Sequence, residues 1–259
     1  LRPASNRWRL NDMETRLRVV PIDLNNKIEI IANALKTIEP EIVYHFATYG
    51  GYPAQQEVPR IFQTNIMGSF SLFDGLQYTS SLRRLINIGS ASEYGTARPM
   101  REDCLVAPNT PYGISKAAQT FLAQHVAHEH GLPVITLRFF SVYGPFEQTG
   151  RLICDTMLAF QRGHALVLSS PHTRRDFIYI NDVINALNKA ATTPHLEGEV
   201  FNIGSGTDYS VGDVVGLVES MTKKTVPLHW GAEEKKRIFD TNARWVADVT
   251  KTRERLDWK

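Results

Sequence analysis

Short runs rich in β-branched and aromatic residues recur along this chain, each ended by a turn signal and followed by a longer amphipathic stretch. RVVPIDL (18–24), EIVYHFA (41–47), RLINIGS (84–90) and PVITLRFF (133–140) are of this kind. A run that is apolar at nearly every position has no solvent face, so it predicts a strand covered on both sides. Helical patterning fills the intervals, over 26–38, 57–79 and 112–130. This alternation predicts an α/β fold: a doubly wound parallel sheet, right-handed crossovers and helices on both faces. Beyond residue 145 the spacing loosens. A helix over 151–163, short strands at 165–169, 176–180, 199–203 and 226–230, and helices over 181–192 and 210–222 predict a smaller α/β lobe. The expected division puts residues 1–145, with part of 170–205, in the larger domain, and most of 146–259 in the smaller. At 259 residues the chain is long enough for both.

Charge and cysteine usage narrow the partners. The formal net charge is +2, with both signs spread along the chain and no basic run. Electrostatics give no reason to expect a nucleic-acid partner. No apolar run is long enough to span a bilayer, so no membrane partner is expected. Cys104 and Cys154 match neither a disulfide framework nor a zinc spacing, which makes a reducing cytoplasm the expected location. His125, His128 and His130 cluster near a predicted helix C-terminus, where cations are favoured in any case, so no metal is expected. No GxGxxG stands between a strand and a helix. The nearest stretch, NIGSGTDYS (202–210), lacks a third glycine and reads as a tight turn into the next helix.

The chemistry is carried by NTPYGISKAAQ (109–119), in which Tyr112 and Lys116 are four residues apart. On a helix that spacing puts both side chains on one face. A phenol with a pKa of about 10 is a poor base at neutral pH, and a cation within ~4–6 Å lowers it. The pair therefore suits a general acid/base that exchanges a proton with a sugar or alcohol hydroxyl while hydride moves at the same carbon. Ser90 ends a predicted strand upstream, where parallel-sheet enzymes place their sites, and its hydroxyl can hold a substrate oxygen in register with Tyr112. Local turn capping is the other reading of Ser90 and Ser92. His45, at a strand end before small residues, reads as a structural hydrogen-bonder.

Taken in order along the chain, these fragments resemble the extended short-chain dehydrogenase/reductases of the NAD-dependent epimerase/dehydratase type, which modify nucleotide sugars. The resemblance rests on Asp23-Leu24, His45-Phe46-Ala47-Thr48, Thr64-Asn65-Ile66-Met67-Gly68-Ser69, Ser90-Ala91-Ser92-Glu93-Tyr94-Gly95 and Tyr112-Gly113-Ile114-Ser115-Lys116. It continues through Arg138-Phe139-Phe140-Ser141-Val142-Tyr143-Gly144-Pro145, Arg174-Arg175-Asp176-Phe177, Phe201-Asn202-Ile203-Gly204, Ala247-Asp248 and Leu256-Asp257-Trp258. It implies a Rossmann-like sheet and makes the larger domain dinucleotide-binding and the smaller substrate-binding. Ser90, Tyr112 and Lys116 resemble the catalytic trio, with Tyr112 and Lys116 also beside the nicotinamide ribose. Asp23 and Leu24 resemble adenine contacts. Phe46, Ala47 and Thr48 resemble the stretch passing the cofactor phosphates and ribose, and Phe139, Ser141 and Val142 the segment against the nicotinamide. On the substrate side stand Ser92, Ser141, Arg175 on the diphosphate, and Arg237, followed by Asp240, as a second clamp. The implied cofactor is NAD, with NADP left open. The implied substrate is a nucleoside-diphosphate sugar, and helices 57–79 and 112–130 imply a homodimer.

Two departures shape what is expected. The family opens with a strand, a glycine-rich turn and a helix that cradle the pyrophosphate, followed by a second strand. None of these is present, so a segment of the working protein is expected to be missing from this sequence. Family dehydratases carry Asp-Glu directly after the Ser/Thr, where this chain has Ala91 and Ser92. Glu93 comes one residue late, and on a strand such a slip turns a side chain to the other face unless a turn re-aims it. The pattern disfavours 4,6-dehydration. C4 epimerisation, or reduction of a 4-keto sugar, needs only the trio. In epimerisation hydride leaves C4, the ketone turns in its pocket, and hydride returns to the other face. Gly50, Gly51 and Tyr52 then read as part of a roomy sugar pocket or as a loop. A non-catalytic dinucleotide-binding scaffold is the reading from another class, and the intact trio argues against it.

Overall fold

RLINIGS and PVITLRFF lie side by side as parallel neighbours in a computed structural model, which describes residues 7–95, 97–232 and 244–258. In chain order the strands are β1 (Ile42–His45), β2 (Arg84–Ser90), β3 (Val134–Phe139), β4 (Ser141–Tyr143), β5 (Leu166–Val167), β6 (Arg174–Tyr179), β7 (Val200–Ile203), β8 (Asp208–Ser210) and β9 (Leu228–His229). The helices are α1 (Ile28–Ile38), α2 (Val58–Phe62), α3 (Gly68–Leu76), α4 (Pro111–His130), α5 (Leu152–Arg162), α6 (Ile180–Thr192), α7 (Val211–Thr222) and α8 (Thr250–Leu256). The main sheet has the order β1-β2-β3-β7, all parallel.

Strand alternation sorts the core into two layers. Leu85 of β2 and Val134 of β3 pack under α3 and α4 with Leu72, Phe73, Leu76, Ala123 and Val126. Their neighbours Ile86, Ile88, Ile135 and Leu137 face the other way, onto Val183, Ala186, Leu187 and Ala190 of α6 and Leu256 of α8. This period-two switch is why the runs read as apolar throughout: both faces are covered. Further along the α3/α4 face the side chains turn polar. Asn87 and Thr136 follow Leu85 and Val134, then come Gly89 and Arg138, all fully or almost fully enclosed. That change of chemistry at the C-terminal half of the strands marks where the site lies.

The longest helix starts and stops as its sequence dictates. The Thr110 hydroxyl accepts the Gly113 amide proton (3.0 Å), Pro111 takes the first turn, and Gly131 closes the end at φ 66°. The smaller lobe has the three-stranded sheet β4-β6-β8, the pair β5-β9, and α5 against α7 over Phe160, Leu166, Leu168 and Val215.

Two expectations are corrected. RVVPIDL forms no strand: residues 17–23 are irregular, and Asp23 instead accepts the Asn25 amide proton (3.0 Å) to close a turn. The sheet ends at β1, and no described strand stands beside residues 18–24 to satisfy their backbone groups. The helix expected over 57–79 is broken by a π-helical turn, Gln63–Met67, between α2 and α3. The run at 199–203 pairs with β3 in the main sheet, within the part of 170–205 expected to join the larger domain, and α8 packs on it. Among the described residues no helix is long and apolar enough to cross a membrane.

Candidate active site

β2 ends at Ser90, and the next three residues make a single 3-10 turn, Ala91–Glu93. The turn caps itself reciprocally: Ser90 Oγ accepts the Ser92 amide proton (3.1 Å), and Glu93 Oε1 accepts that of Ser90 (2.7 Å). α4 runs directly over this turn. A Cβ at Gly113 would collide with the Ser92 carbonyl, so only glycine lets the helix carrying Tyr112 and Lys116 come this close. The capping role considered for Ser90 is therefore real, and it leaves the hydroxyl proton free for another partner. With its oxygen accepting from Ser92, Ser90 keeps its proton for the Tyr112 phenol.

Tyr112 lies beside the Thr48 and Ser90 hydroxyls, and its immediate surroundings set its acidity. Burial pushes the phenol pKa up; the neighbouring Thr48 and Ser90 hydroxyls and the charge of Arg151 pull it down, while Glu93 raises it. Arg151 is a cation near Tyr112 that the sequence, pointing to Lys116, did not single out. The Lys116 ammonium instead turns into the sheet, donating to the Ile88 carbonyl and to Gln119 Oε1. Gln119 passes the contact to Asn87 (2.5 Å) and Asn87 to Thr136 (3.0 Å). Burial lowers Lys116 to about 8, with Glu93 opposing the shift. An ammonium has three protons, so one remains for a ribose hydroxyl at the strand ends.

Thr48 is fixed by Asn65, the buried side chain of the π-turn. Its Oδ1 accepts from the Tyr49 amide (2.8 Å) and the Thr48 hydroxyl (3.2 Å), and its Nδ2 donates to Tyr49 O (2.8 Å) and Ser115 Oγ (2.9 Å). The following loop folds over Tyr112: a Cβ at Gly50, where φ is +99°, would lie 3.1 Å from the Tyr112 ring. His45 takes the structural part expected of it, 2.8 Å from Ser69 Oγ with its edge toward Phe73.

A cavity of about 160 Å³ opens beside this group, lined by Ser141, Val142, Glu147, Arg151, Leu168 and Arg175 among others. The trio does not line it. Arg151 links the two, since it borders the cavity, stacks 5.0 Å above the Tyr52 ring and acts on Tyr112. Arg175 lies 5.5 Å over the Trp245 ring and donates to the Arg174 carbonyl (2.8 Å).

The structure thus gathers Ser90, Tyr112, Lys116 and Thr48 at one point, and Ser141, Val142 and Arg175 at another. Phe46 and Phe139 face each other at 6.3 Å across the ends of β1 and β3, with Phe46 and Ala47 exposed. That ledge, with Tyr112 and the spare Lys116 proton, suits the nicotinamide-ribose half of a dinucleotide. Asp23 and Leu24 sit apart, in the turn before α1, with Leu24 against Gly68. Ser92 contributes its backbone to the cap and to the contact with Gly113. Arg237 and Asp240 lie outside the described residues. Sequence reasoning passed over Arg151 and the hydrogen bonding of Asn65. An arginine just before a helix, where the dipole disfavours a cation, was a usable signal for the first. A π-turn leaves no such trace in sequence.

Comparison with known proteins identifies the family. The model of the family described as "NAD dependent epimerase/dehydratase family" matches residues 1–204. The UDP-glucuronate 4-epimerase of Thermodesulfobacterium geofontis is 26% identical over 97% of this chain and 78% of its own length. A dTDP-glucose 4,6-dehydratase of Xanthomonas campestris is 25% identical over 89% of this chain and 71% of its own. Among solved structures, MoeE5 in complex with UDP-glucuronic acid and NAD superposes with a TM-score of 0.83 at 30% identity, covering 94% of this chain and 80% of that one. A family match over residues 1–204 and a shared fold over most of the chain lead to one assignment: this is an NAD-dependent enzyme of the epimerase/dehydratase family, built on the Rossmann-like fold of the extended short-chain dehydrogenase/reductases.

Proposed function

We propose that the protein is a nucleoside-diphosphate-sugar 4-epimerase. The observation that carries this reading is the chemistry around Tyr112. Its phenol lies beside the Ser90 and Thr48 hydroxyls, while the positions a dehydratase fills with an acid pair hold Ala91 and Ser92. The neighbouring Glu93 is turned inward, onto Arg138, and is fully enclosed. NAD, when bound, supplies the hydride acceptor. Phe46–Thr48, Phe139 and Lys116 would hold it. Tyr112 takes the proton of the C4 hydroxyl and later returns it, Ser90 keeps that oxygen in register, and the strand ends exclude bulk water. Arg175 takes the diphosphate in the adjoining cavity.

Arg151 favours a hexuronate as the sugar. It is half-buried, lines the cavity and lowers the pKa of Tyr112, and no carboxylate among the described residues is hydrogen-bonded to it. A sugar carboxylate would complete it. The named ligands of the relatives, UDP-glucuronic acid among them, are in keeping with this.

Ile114 and Phe121 on α4, seven residues apart and so on one face, are 45% and 55% exposed, and Met67 and Phe70 on the adjacent helices are 49% and 39% exposed. We take this apolar strip to be the contact of a homodimer. Free thiols at Cys104 and Cys154 accord with a reducing cytoplasm.

The test is to incubate the NAD-loaded enzyme with UDP-glucuronate and with UDP-glucose and follow the sugar by NMR. The expected product is the 4-epimer, with no net reduced cofactor. A 4-keto-6-deoxy product, or stoichiometric consumption of added NADH, would overturn the reading. Tyr112→Phe should abolish turnover, a loss on the order of 10²-fold or more, while leaving sugar-nucleotide binding intact.

A further inference from the structure

We propose that Glu93 is a positioning residue: its buried carboxylate ties the end of β2, the catalytic helix α4 and strand β3 into one unit, and so sets the Ser90 hydroxyl against the Tyr112 phenol. The proposal rests on the epimerase reading for its kinetic readout and on geometry for the rest.

Every acceptor site of this carboxylate points at a different element. Oε1 accepts the Ser90 amide proton at 2.7 Å. Oε2 accepts from Thr120 Oγ1 of α4 at 2.9 Å and from Arg138 Nε of β3 at 2.8 Å. Arg138 in turn donates to the Tyr94 hydroxyl (3.2 Å), which donates to Asn202 Oδ1 of β7 (2.7 Å). Space for the carboxylate is made by Gly89, where a Cβ would stand 2.6 Å from Oε1. Glu93 is 0% exposed and the Arg138 side chain 3%.

A buried ion pair is weak evidence for stability, because apolar residues of similar volume do as well. What it supplies here is direction. The Ser90 backbone cannot rotate without breaking its bond to Oε1. Thr120 lies one helical turn beyond Lys116, so the same carboxylate fixes α4 along its axis. The charged and titratable groups facing Glu93 are Arg138 from β3, Tyr112 and Lys116 from α4, and Tyr94 from its own turn. Its negative charge raises the Tyr112 phenol pKa and, against burial, that of Lys116.

The experiment uses the NAD-loaded enzyme and three forms: Glu93→Gln, Glu93→Asp, and the double replacement Glu93→Val with Arg138→Met. The double form should fold, since the ion pair is exchanged for apolar packing. Its kcat should fall on the order of 10²-fold, as a displacement of about 1 Å near the chemistry allows, with KM unchanged. Glu93→Gln should move the acid limb of the kcat profile to lower pH, because the charge that holds Tyr112 up is gone. Glu93→Asp keeps the charge and the limb but is too short to reach all three partners, so its kcat falls without a pH shift. A double form with wild-type kcat, a KM rise matching the kcat loss, or an unmoved limb in Glu93→Gln would overturn the proposal. Should the wild-type enzyme turn over no nucleotide sugar, the epimerase reading fails, and a crystal structure of the double form decides the positioning claim. A Ser90 hydroxyl displaced from the Tyr112 phenol supports it, and an unmoved one refutes it.

Discussion

Tyr112 sits between opposing charges, Arg151 lowering its pKa and Glu93 raising it, so single replacements should move its titration in opposite directions. Epimerisation begins with phenolate, so the rate rises as pH climbs through the Tyr112 pKa. Arg151→Leu should shift the acid limb of kcat to higher pH, opposite to Glu93→Gln. It should also cost UDP-glucuronate more of its kcat/KM than UDP-glucose, a ratio read from parallel progress curves. Equal losses on both sugars would dismiss the hexuronate reading. His45 makes a different prediction. Burial, with help from Lys116, holds it at about 3 instead of 6.5, so it stays neutral in the fold. Its contribution to stability is complete above pH 6.5 and is lost as pH falls toward 3, when the unfolded chain takes up a proton that the folded one refuses. Thermal melts of His45→Asn should therefore show a flatter decline over that window than wild type. Tyr112, Lys116, Ser90 and the structural part of His45 were all legible from residue type and spacing. The acidity of Tyr112 was not, because Arg151 follows it by thirty-nine positions and meets it only in space.

At the scale of elements, α4 shows how well a short sequence can specify its own boundaries. Thr110, Pro111 and Gly131 are three local signals with three local causes. Thr110→Ala should cost about 1 kcal/mol, seen as a fall in Tm of about 2–4 °C. Gly113 matters for another reason. Any Cβ there meets the Ser92 backbone carbonyl, which cannot swing aside as a side chain end can. Gly113→Ala should therefore lift α4 off the 3-10 turn and lower kcat on the order of 10²-fold, with a smaller effect on sugar-nucleotide binding by calorimetry. Wild-type turnover in that variant would show that the turn tolerates the shift. Elements whose signals are non-local were misread. RVVPIDL has the composition of a strand, yet a strand exists only where a neighbour takes up its hydrogen bonds, and among the described residues none does. The π-turn at Gln63–Met67 is likewise set by Asn65 reaching Tyr49 and Ser115, contacts 16 and 50 residues away in sequence.

For the whole molecule, the two-layer packing of the sheet places one polar face, Asn87, Thr136 and Arg138, beneath α4 and leaves an apolar strip on the outer side of α4. If that strip is the dimer contact, Phe121→Asp should yield a monomer by sedimentation equilibrium while the melting transition stays cooperative. A wild-type monomer at micromolar concentration would remove the dimer from consideration. The sequence by itself determined the α/β class, the order of most elements and the placing of Tyr112 and Lys116 on one helix face, because strand periodicity, helix caps and i, i+4 spacing act over a few residues. It also denied the chain the acid pair of a dehydratase at Ala91 and Ser92. Only the tertiary structure decided that Glu93 turns inward to Arg138, that Lys116 is anchored to Ile88 and Gln119, and that Arg151 comes near enough to Tyr112 to lower its pKa. Those outcomes depend on which side chains share an enclosed volume, and charge and hydrogen bonding in such a volume are fixed by distance in space, not by separation along the chain.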